Sequence, residues 1–219
     1  MKKLVVFGTG DIARLAHFYF SRDAGRTLAG FTVDAAYRTA ETFLDLPLVD
    51  FEGVSERFPP SDFELFVALS YRNMNRLRAE RYRAVKALGY TLASYVSSRC
   101  TFLSEEPVGD NCFILEDNTI QPFVRIGNDV TLWSGNHIGH DSVIEDHCFL
   151  ASHIVVSGHV HVGAYSFIGV NATLRNSITI APESLIGAGA IIMKDTVPKG
   201  VYVPERTALF KKTSDQIDL

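Results

Sequence analysis

Residues 108–197 read VGDNCF ILEDNT IQPFVR IGNDVT LWSGNH IGHDSV IEDHCF LASHIV VSGHVH VGAYSF IGVNAT LRNSIT IAPESL IGAGAI IMKDTV. Each of these fifteen hexads begins with Val, Ile or Leu, and the phase never slips. The fifth position is mostly small or β-branched, and the second is often Gly or acidic. A unit this short cannot bury its own apolar side, so it must stack on copies of itself. The repeat predicts a tightly wound solenoid, in which we expect Gly to supply the backbone conformations of the turns.

The six-residue spacing resembles that of the hexapeptide-repeat acyltransferases. This resemblance implies a left-handed parallel β-helix with three hexads in each coil. Weaker repeats around Val96 and Phe102 extend the pattern backwards, so we expect the β-helix domain to cover 96–203, followed by a C-terminal tail, 204–219.

Composition excludes several classes of function. A formal net charge of -4 and a pI near 6.0 argue against nucleic acid as a partner. No apolar run is long enough for a transmembrane helix. Residues 1–8 are better explained as a first strand than as a signal peptide, because the apolar run is short and ends in Gly-Thr-Gly-Asp. The three cysteines all fall at fifth hexad positions, where we expect small interior residues kept reduced in the cytoplasm (Cys100, Cys112 and Cys148).

The N-terminal segment has the order strand, glycine turn, helix, strand. An apolar run at 4–7 leads through Gly8-Thr9-Gly10-Asp11 into a helical pattern that ends near Phe20, and a second strand, 28–33, ends at Asp34. Gly8 allows a tight turn, Gly10 lets a phosphate or ribose approach the backbone, and the helix N-terminus favours negative charge. Asp34 is placed to accept hydrogen bonds from a ribose or base.

A third strand, 63–69, leads through Ser70, Arg72 and Asn73 into an arginine-rich helix, 74–88, and a fourth strand follows at 90–95. Open α/β sheets bind ligands beyond the carboxyl ends of their strands, which favours these three residues as ligand contacts. Residues 1–95 therefore predict a small Rossmann-like βαβ domain. Its size suits a mononucleotide or nucleotide sugar better than NAD.

His140 is the strongest candidate for catalysis. With eighteen residues per coil, Gly158 lies beside His140 and His159 lies above Asp141. A Gly at that position leaves open backbone where a slender ligand can pass, and its N–H can donate to a carbonyl oxygen that gains charge. Imidazole titrates near neutral pH, and a neighbouring carboxylate fixes its tautomer.

The segment Gly139-His140-Asp141-Ser142-Val143-Ile144-Glu145 is similar to one in the bacterial sugar acetyltransferases with a Rossmann-like N-terminal domain. These include enzymes that N-acetylate nucleotide-linked 4-amino-4,6-dideoxy sugars and relatives that O-acetylate sialic acid. The resemblance covers essentially the whole chain and implies a homotrimer whose seams form the active sites, acetyl-CoA as co-substrate, and no metal cofactor. It implies His140 as general base and Asp141 as its orienting carboxylate. It also implies acetyl-CoA contacts along a wall of mostly small residues (Gly158, Val170, Asn171, Gly187, Ala188 and Lys194).

Two features depart from the family pattern. The family often has Glu beside the base and a second His nine residues further on, where this chain has Asp141 and Phe149; His147 or His153 are possible substitutes. The Gly-x-Pro-Ala motif common after the last coil is replaced by Val203-Pro204-Glu205-Arg206-Thr207-Ala208.

The sequence favours an acetyl-CoA-dependent N-acetyltransferase for a nucleotide-linked amino sugar, acting in the cytoplasm and feeding surface-glycan synthesis. Three alternatives remain open. One is an O-acetyltransferase of the sialic acid type, which acceptor screening would distinguish. Another is a zinc enzyme resembling γ-class carbonic anhydrase, a resemblance that implies three histidine ligands and is suggested by six histidines within the repeat. The last is a non-catalytic trimeric scaffold or nucleotide-sugar sensor.

Overall fold

The computed structural model describes residues 2–217. The N-terminal part is a five-stranded sheet of order β3-β4-β2-β1-β5, parallel except for the edge strand β3. Its elements are β1 (Lys3–Phe7), α1 (Asp11–Arg22), β2 (Leu28–Val33), β3 (Thr42–Phe43), β4 (Leu46–Asp50), α2 (Val54–Arg57), β5 (Phe63–Val67) and α3 (Arg76–Ala87). Short 3₁₀ helices occupy Ala35–Tyr37 and Phe51–Gly53.

Alternation along β1 gives this sheet two buried faces. Leu4 and Val6 pack with α1 residues such as Phe20, whereas Val5 and Phe7 pack with α2 and α3. A strand that is buried on both faces has a continuous apolar sequence, and residues 4–7 have such a sequence.

Three N-terminal expectations need correction. The strand expected at 90–95 is reduced to one isolated bridge between Leu65 and Leu92, and Tyr95 pairs instead with the first full coil. The strand expected at 63–69 ends at Val67. The helix expected from residue 74 begins at Arg76, because residues 73–75 all have positive φ, which a helix cannot include. The edge hairpin of β3 and β4 was not predicted.

The remaining strands are two residues long and stack into three parallel sheets, which fit a left-handed β-helix. Partners in adjacent coils are eighteen residues apart, as in Thr131 with Phe149. The first sheet, called face 1, contains β6 (Tyr95–Val96), β8 (Phe113–Ile114), β11 (Thr131–Leu132), β14 (Phe149–Leu150), β17 (Phe167–Ile168), β20 (Leu185–Ile186) and β22 (Val201–Tyr202). Face 2 contains β7 (Thr101–Phe102), β9 (Thr119–Ile120), β12 (His137–Ile138), β15 (Val155–Val156), β18 (Thr173–Leu174) and β21 (Ile191–Ile192). Face 3 contains β10 (Arg125–Ile126), β13 (Val143–Ile144), β16 (His161–Val162) and β19 (Thr179–Ile180).

The hexad leaders form the core of the β-helix. Every leader from Ile114 to Ile192 is buried, as the repeat predicts. Cys112 and Cys148 are buried among them, and burial raises the pKa of each thiol to about 12. Half-buried Cys100 has its pKa raised to about 11 for the same reason.

The turns depend on the fourth hexad position rather than the second. Every fourth-position residue from Asn111 to Gly189 has a positive φ, and only two of these are Gly. The second-position glycines serve a different purpose from the one expected, because they let successive coils approach closely. A Cβ on Gly139 would lie 2.5 Å from the backbone nitrogen of Gly158.

A buried polar cluster joins the N-terminal sheet to the β-helix. Arg78 of α3 contacts the Asp129 carboxylate at 2.9 Å, and its guanidinium also donates to backbone carbonyl oxygens of the coils. Asn111 donates to Asp129 and accepts from the backbone N–H of Val67, at the end of β5. These contacts fix the N-terminal part over face 1.

The tail after Tyr202 is exposed and contains one 3₁₀ helix, Ser214–Gln216. No helix within residues 2–217 combines the length and apolar character needed to cross a bilayer.

Candidate active site

A cavity of about 770 Å³ lies at the carboxyl ends of β1, β2 and β5. It brings together most of the residues expected to hold a nucleotide: Gly8, Gly10, Asp11, Asp34, Ser70 and Arg72. Asn73, also expected there, is not among the lining residues. Its positive φ of 51° begins the left-handed turn into α3.

The glycine turn between β1 and α1 shapes the floor of this cavity. Gly8 has φ of 122°, and a Cβ there would lie 2.8 Å from the carbonyl oxygen of Ala68, so a side chain is excluded. A Cβ on Gly10 would meet nothing within 4 Å, so the backbone before Asp11 is open to a ligand. The free N–H groups of the first turn of α1 follow directly.

Asp34 lies beside Arg81, one of the arginines of α3, which was not among the expected ligand contacts. The guanidinium of Arg81 lies 3.2 Å from the Asp34 carboxylate. Burial raises the pKa of Asp34, and the charge of Arg81 opposes that rise. Tyr37 and Trp133 also line the cavity without having been predicted, and Trp133 is contributed by face 1.

His140 lies at the edge where faces 2 and 3 meet, which we call the His140 edge. Its Nδ1 lies 2.8 Å from Oδ2 of Asp141, and the side chain is 53% exposed. The opposite side of the ring faces Gly158, where an added Cβ would lie 2.8 Å from Nε2. The carboxylate therefore holds one ring nitrogen, while the other faces open backbone.

Two further side chains, those of Gln121 and His159, lie at this edge. The Gln121 side chain accepts a hydrogen bond from the backbone N–H of His140 at 2.9 Å. His159 lies one coil above Asp141, as the eighteen-residue spacing predicts, with Nε2 3.8 Å from the Asp141 carboxylate. Among residues 2–217, this is the one cluster of three potential metal ligands found, namely His140, Asp141 and His159. It has two histidines rather than the three of the zinc-enzyme hypothesis.

The backbone N–H of Gly158 has no acceptor among the described residues. It is therefore available to a ligand beside His140. Such a donor can stabilise the negative charge that a thioester oxygen gains during acyl transfer.

The residues expected to contact acetyl-CoA lie on two different edges. Gly158 and Lys194 continue the His140 column, since they are one and three coils above it. Val170, Asn171, Gly187 and Ala188 lie where faces 1 and 2 meet. One copy of the chain does not bring these two groups together.

The proposed substitutes for the family's second His also lie away from His140. His147 is buried, with Nδ1 2.8 Å from Asp129, and belongs to the polar cluster under α3. His153 is exposed at the edge between faces 1 and 2, beside Gly135. Phe149 is core, stacked on Phe167 and in contact with Tyr71.

The cavity and His140 lie on opposite sides of the β-helix. The N-terminal part covers face 1, whereas the His140 edge joins the two other faces. Each coil has three sides, one in each face, and the six residues of one side span about 20 Å at the rise of a strand. A ligand in the cavity is therefore far from the His140 of the same chain.

No protein-family profile matches the chain. The fold is shared with perosamine N-acetyltransferase PerB from Caulobacter crescentus, solved with CoA and GDP-perosamine (TM-score 0.77, 22% identity, 93% of this chain and 92% of that one). It is also shared with the acetyltransferase domain of PglB from Neisseria gonorrhoeae (TM-score 0.76, 22% identity, 89% of this chain and 93% of that one).

A curated relative matches over a shorter stretch. The acyl-[acyl-carrier-protein]–UDP-N-acetylglucosamine O-acyltransferase of Stutzerimonas stutzeri is 35% identical over 103 residues, which are 44% of this chain and 40% of that protein. The chain thus spans less than half the length of the curated relatives it matches.

Proposed function

We propose that this chain, which has the fold of the hexapeptide-repeat sugar N-acetyltransferases, transfers the acetyl group of acetyl-CoA to the amine of a nucleotide-linked amino-dideoxy sugar. The observation that carries the proposal is the geometry at the His140 edge. His140 is oriented by Asp141 at 2.8 Å and faces the open backbone of Gly158. This arrangement provides a base beside a passage for a slender ligand.

The proposed reaction uses His140 as general base. Asp141 accepts a hydrogen bond from the Nδ1–H, which leaves the lone pair on Nε2 to take a proton from the sugar amine. The amine nitrogen bonds to the thioester carbon, the carbon–sulfur bond breaks, and the CoA thiolate leaves and is protonated. The Gly158 N–H is available to the carbonyl oxygen while that oxygen carries negative charge.

The nucleotide would occupy the cavity at the N-terminal sheet. Its phosphates suit the open backbone at Gly10 and the N-terminus of α1, together with Ser70 and Arg72. Asp34, which forms an ion pair with Arg81, would accept hydrogen bonds from the ribose or base. In this proposal residues 1–95 hold the nucleotide sugar and residues 96–203 hold acetyl-CoA.

We propose a homotrimer in which each active site is shared between neighbouring chains. The cavity lies over face 1, and His140 lies at the opposite edge, so one chain alone leaves them apart. A threefold arrangement would set the His140 edge of one chain against the edge that carries Val170 and Ala188 in the next. Acetyl-CoA would then contact Gly158 and Lys194 on one side and Val170, Asn171, Gly187 and Ala188 on the other.

Transfer to a hydroxyl is the second candidate. It is favoured by the relative from Stutzerimonas stutzeri, an O-acyltransferase that acts on UDP-N-acetylglucosamine. A hydroxyl acceptor would need the same base and the same thioester geometry. For either acceptor we propose a cytoplasmic enzyme that supplies a surface glycan.

The test is a thiol-release assay with acetyl-CoA and purified protein. UDP-, dTDP- and GDP-linked amino sugars are compared with the matching hydroxyl sugars and with free sialic acid. Release with one amino sugar, together with an acetamide product identified by mass spectrometry, supports the proposal. Release with only the hydroxyl sugars or sialic acid assigns O-acetylation, and no release with any acceptor, from folded trimeric protein, rejects acetyl transfer.

A further inference from the structure

The His140 edge carries a second chemical possibility besides base catalysis. His140, Asp141 and His159 each offer one ligand atom there, and these atoms lie within 4.8 Å of one another. Oδ2 of Asp141 lies 2.8 Å from Nδ1 of His140 and 3.8 Å from Nε2 of His159.

These separations suit a tetrahedral transition-metal ion. Zinc binds imidazole nitrogen at about 2.0–2.1 Å, so two of its tetrahedral ligands lie about 3.3 Å apart. The distances from the Asp141 carboxylate to the two imidazole nitrogens, 2.8 Å and 3.8 Å, lie on either side of that ligand–ligand distance. The side chains of His140, Asp141 and His159 are 53%, 41% and 57% exposed, so neighbouring atoms leave them room to rotate toward an ion.

The backbone and the ring orientations support the same arrangement. Asp141 and His159 occupy the same fourth hexad position in successive coils, each with φ of 57°. The backbone N–H of His159 donates to the carbonyl oxygen of His140 at 2.9 Å, which fixes the two coils. The imidazole rings are nearly perpendicular, at 87°, so they present nitrogens to the carboxylate instead of stacking.

We infer that His140, Asp141 and His159 form a binding site for a divalent transition-metal ion, best suited to Zn²⁺, and that the ion inhibits acetyl transfer. This inference rests on the proposed function for its effect on activity. A neutral imidazole has one proton and one lone pair. An ion on Nδ1 uses the lone pair there, so the proton must sit on Nε2. Nε2 then has no lone pair with which to accept the proton of the sugar amine, and removing the ion restores it.

The ligand set also predicts which ions act. Two imidazoles and one carboxylate favour Zn²⁺, Co²⁺ and Cu²⁺ over Mg²⁺ and Ca²⁺, which prefer oxygen ligands. We therefore expect Zn²⁺ to inhibit acetyl transfer and Mg²⁺ to leave it unchanged.

The test separates binding from activity. Full-length protein is stripped with chelator and titrated with Co²⁺, whose visible absorption reports tetrahedral nitrogen and oxygen ligands. Zn²⁺ is then used to displace the Co²⁺, and acetyl transfer is measured over the same range of Zn²⁺. We expect one site per chain and inhibition that follows its occupancy.

His159→Asn is the diagnostic variant, because Asn tolerates the left-handed backbone at this position and cannot supply the ring nitrogen. We expect unchanged turnover without metal and at least a tenfold rise in the Zn²⁺ concentration needed for inhibition. The matched control is His161→Asn, which removes another exposed His that lies 2.7 Å from a carboxylate, that of Glu145. It should leave both quantities unchanged.

Each outcome decides a separate point. Absence of the Co²⁺ spectrum, or a spectrum unchanged in His159→Asn, overturns the metal site even if acetyl transfer is confirmed. Binding without inhibition overturns the tautomer argument. Protein that binds Co²⁺ but transfers no acetyl group to any acceptor retains the metal site and rejects the proposed function.

Discussion

The guanidinium of Arg78 lies 2.9 Å from the carboxylate of Asp129, and neither side chain is more than 2% exposed. This ion pair joins α3 to the coils and so determines where the cavity lies relative to the β-helix. Removing one partner of a buried pair leaves an uncompensated charge, which costs about 3–5 kcal/mol.

Arg78→Leu should therefore lower the free energy of unfolding by about 3–5 kcal/mol in urea denaturation. Arg76→Ala is the control, because its ion pair with Glu183 is more exposed and should contribute less than about 1 kcal/mol. Equal effects of the two substitutions would mean that the buried pair does not stabilise the junction.

His140→Ala should reduce turnover by roughly 10²- to 10⁴-fold, because the proton of the acceptor then has no positioned base. Circular dichroism should be unchanged, since the side chain is 53% exposed. Asp141→Asn should reduce turnover less than His140→Ala does. Asn tolerates the left-handed backbone at this position, so the substitution removes only the charge that orients His140. Wild-type turnover in His140→Ala would exclude it as the base.

A shared active site predicts complementation between two inactive variants. His140→Ala removes the base, and Gly10→Phe fills the cavity without backbone strain, since Gly10 has φ of -84° and open space around its Cβ position. Randomly mixed trimers of the two should recover about one quarter of wild-type activity, because a site is complete only when each neighbour supplies its intact half. Mixtures that stay as inactive as the separate variants would place both halves in one chain.

The repeat allowed much of this site to be predicted. Because eighteen residues make one coil, the sequence alone places Gly158 beside His140 and His159 above Asp141, and the structure has both neighbours. The spacing of the aliphatic residues predicts these neighbours because it indicates which side chains face the core and how many residues make one coil.

The position of the cavity relative to His140 could not be predicted in this way. It depends on the pairing of Arg78 with Asp129, which also accepts a hydrogen bond from Asn111. The repeat places Asn111 and Asp129 at the fourth hexad position of successive coils, but it does not indicate which side chain of the N-terminal part pairs with them. Arg81 could not be predicted as part of the site for the same reason. Its sequence context matches that of the other arginines of α3, and only the folded structure brings it beside Asp34.

The join between α1 and the first coil should depend on pH. Hydrogen bonds from Ser98 and Tyr95 lower the pKa of the Asp23 carboxyl below 3.8. A lowered pKa adds stability that is present above the unfolded value and is lost as the pH falls through the folded value. Asp23→Asn should therefore be less stable than wild type at pH 7, and the difference should shrink below about pH 4. The control is Asp62→Asn, since the exposed carboxylate of Asp62 has no hydrogen bond within residues 2–217; a difference that persists in acid would contradict the assignment.

The left-handed residue in every turn has a consequence for how the molecule opens. Each such non-glycine residue is held against its own preference, at about 1–2 kcal/mol, by the coils on either side. The last coil, at Val201 and Tyr202, has a neighbour on one side only, whereas the first coil is covered by the N-terminal sheet. Amide hydrogen exchange should therefore be fastest in residues 185–202 and slow progressively toward Phe113. His140 has intact coils above and below it and therefore lies in a part of the solenoid that opens late. Heat should release the C-terminal coils, and with them the proposed acetyl-CoA contacts at Gly187, Ala188 and Lys194, before it disturbs the surroundings of His140.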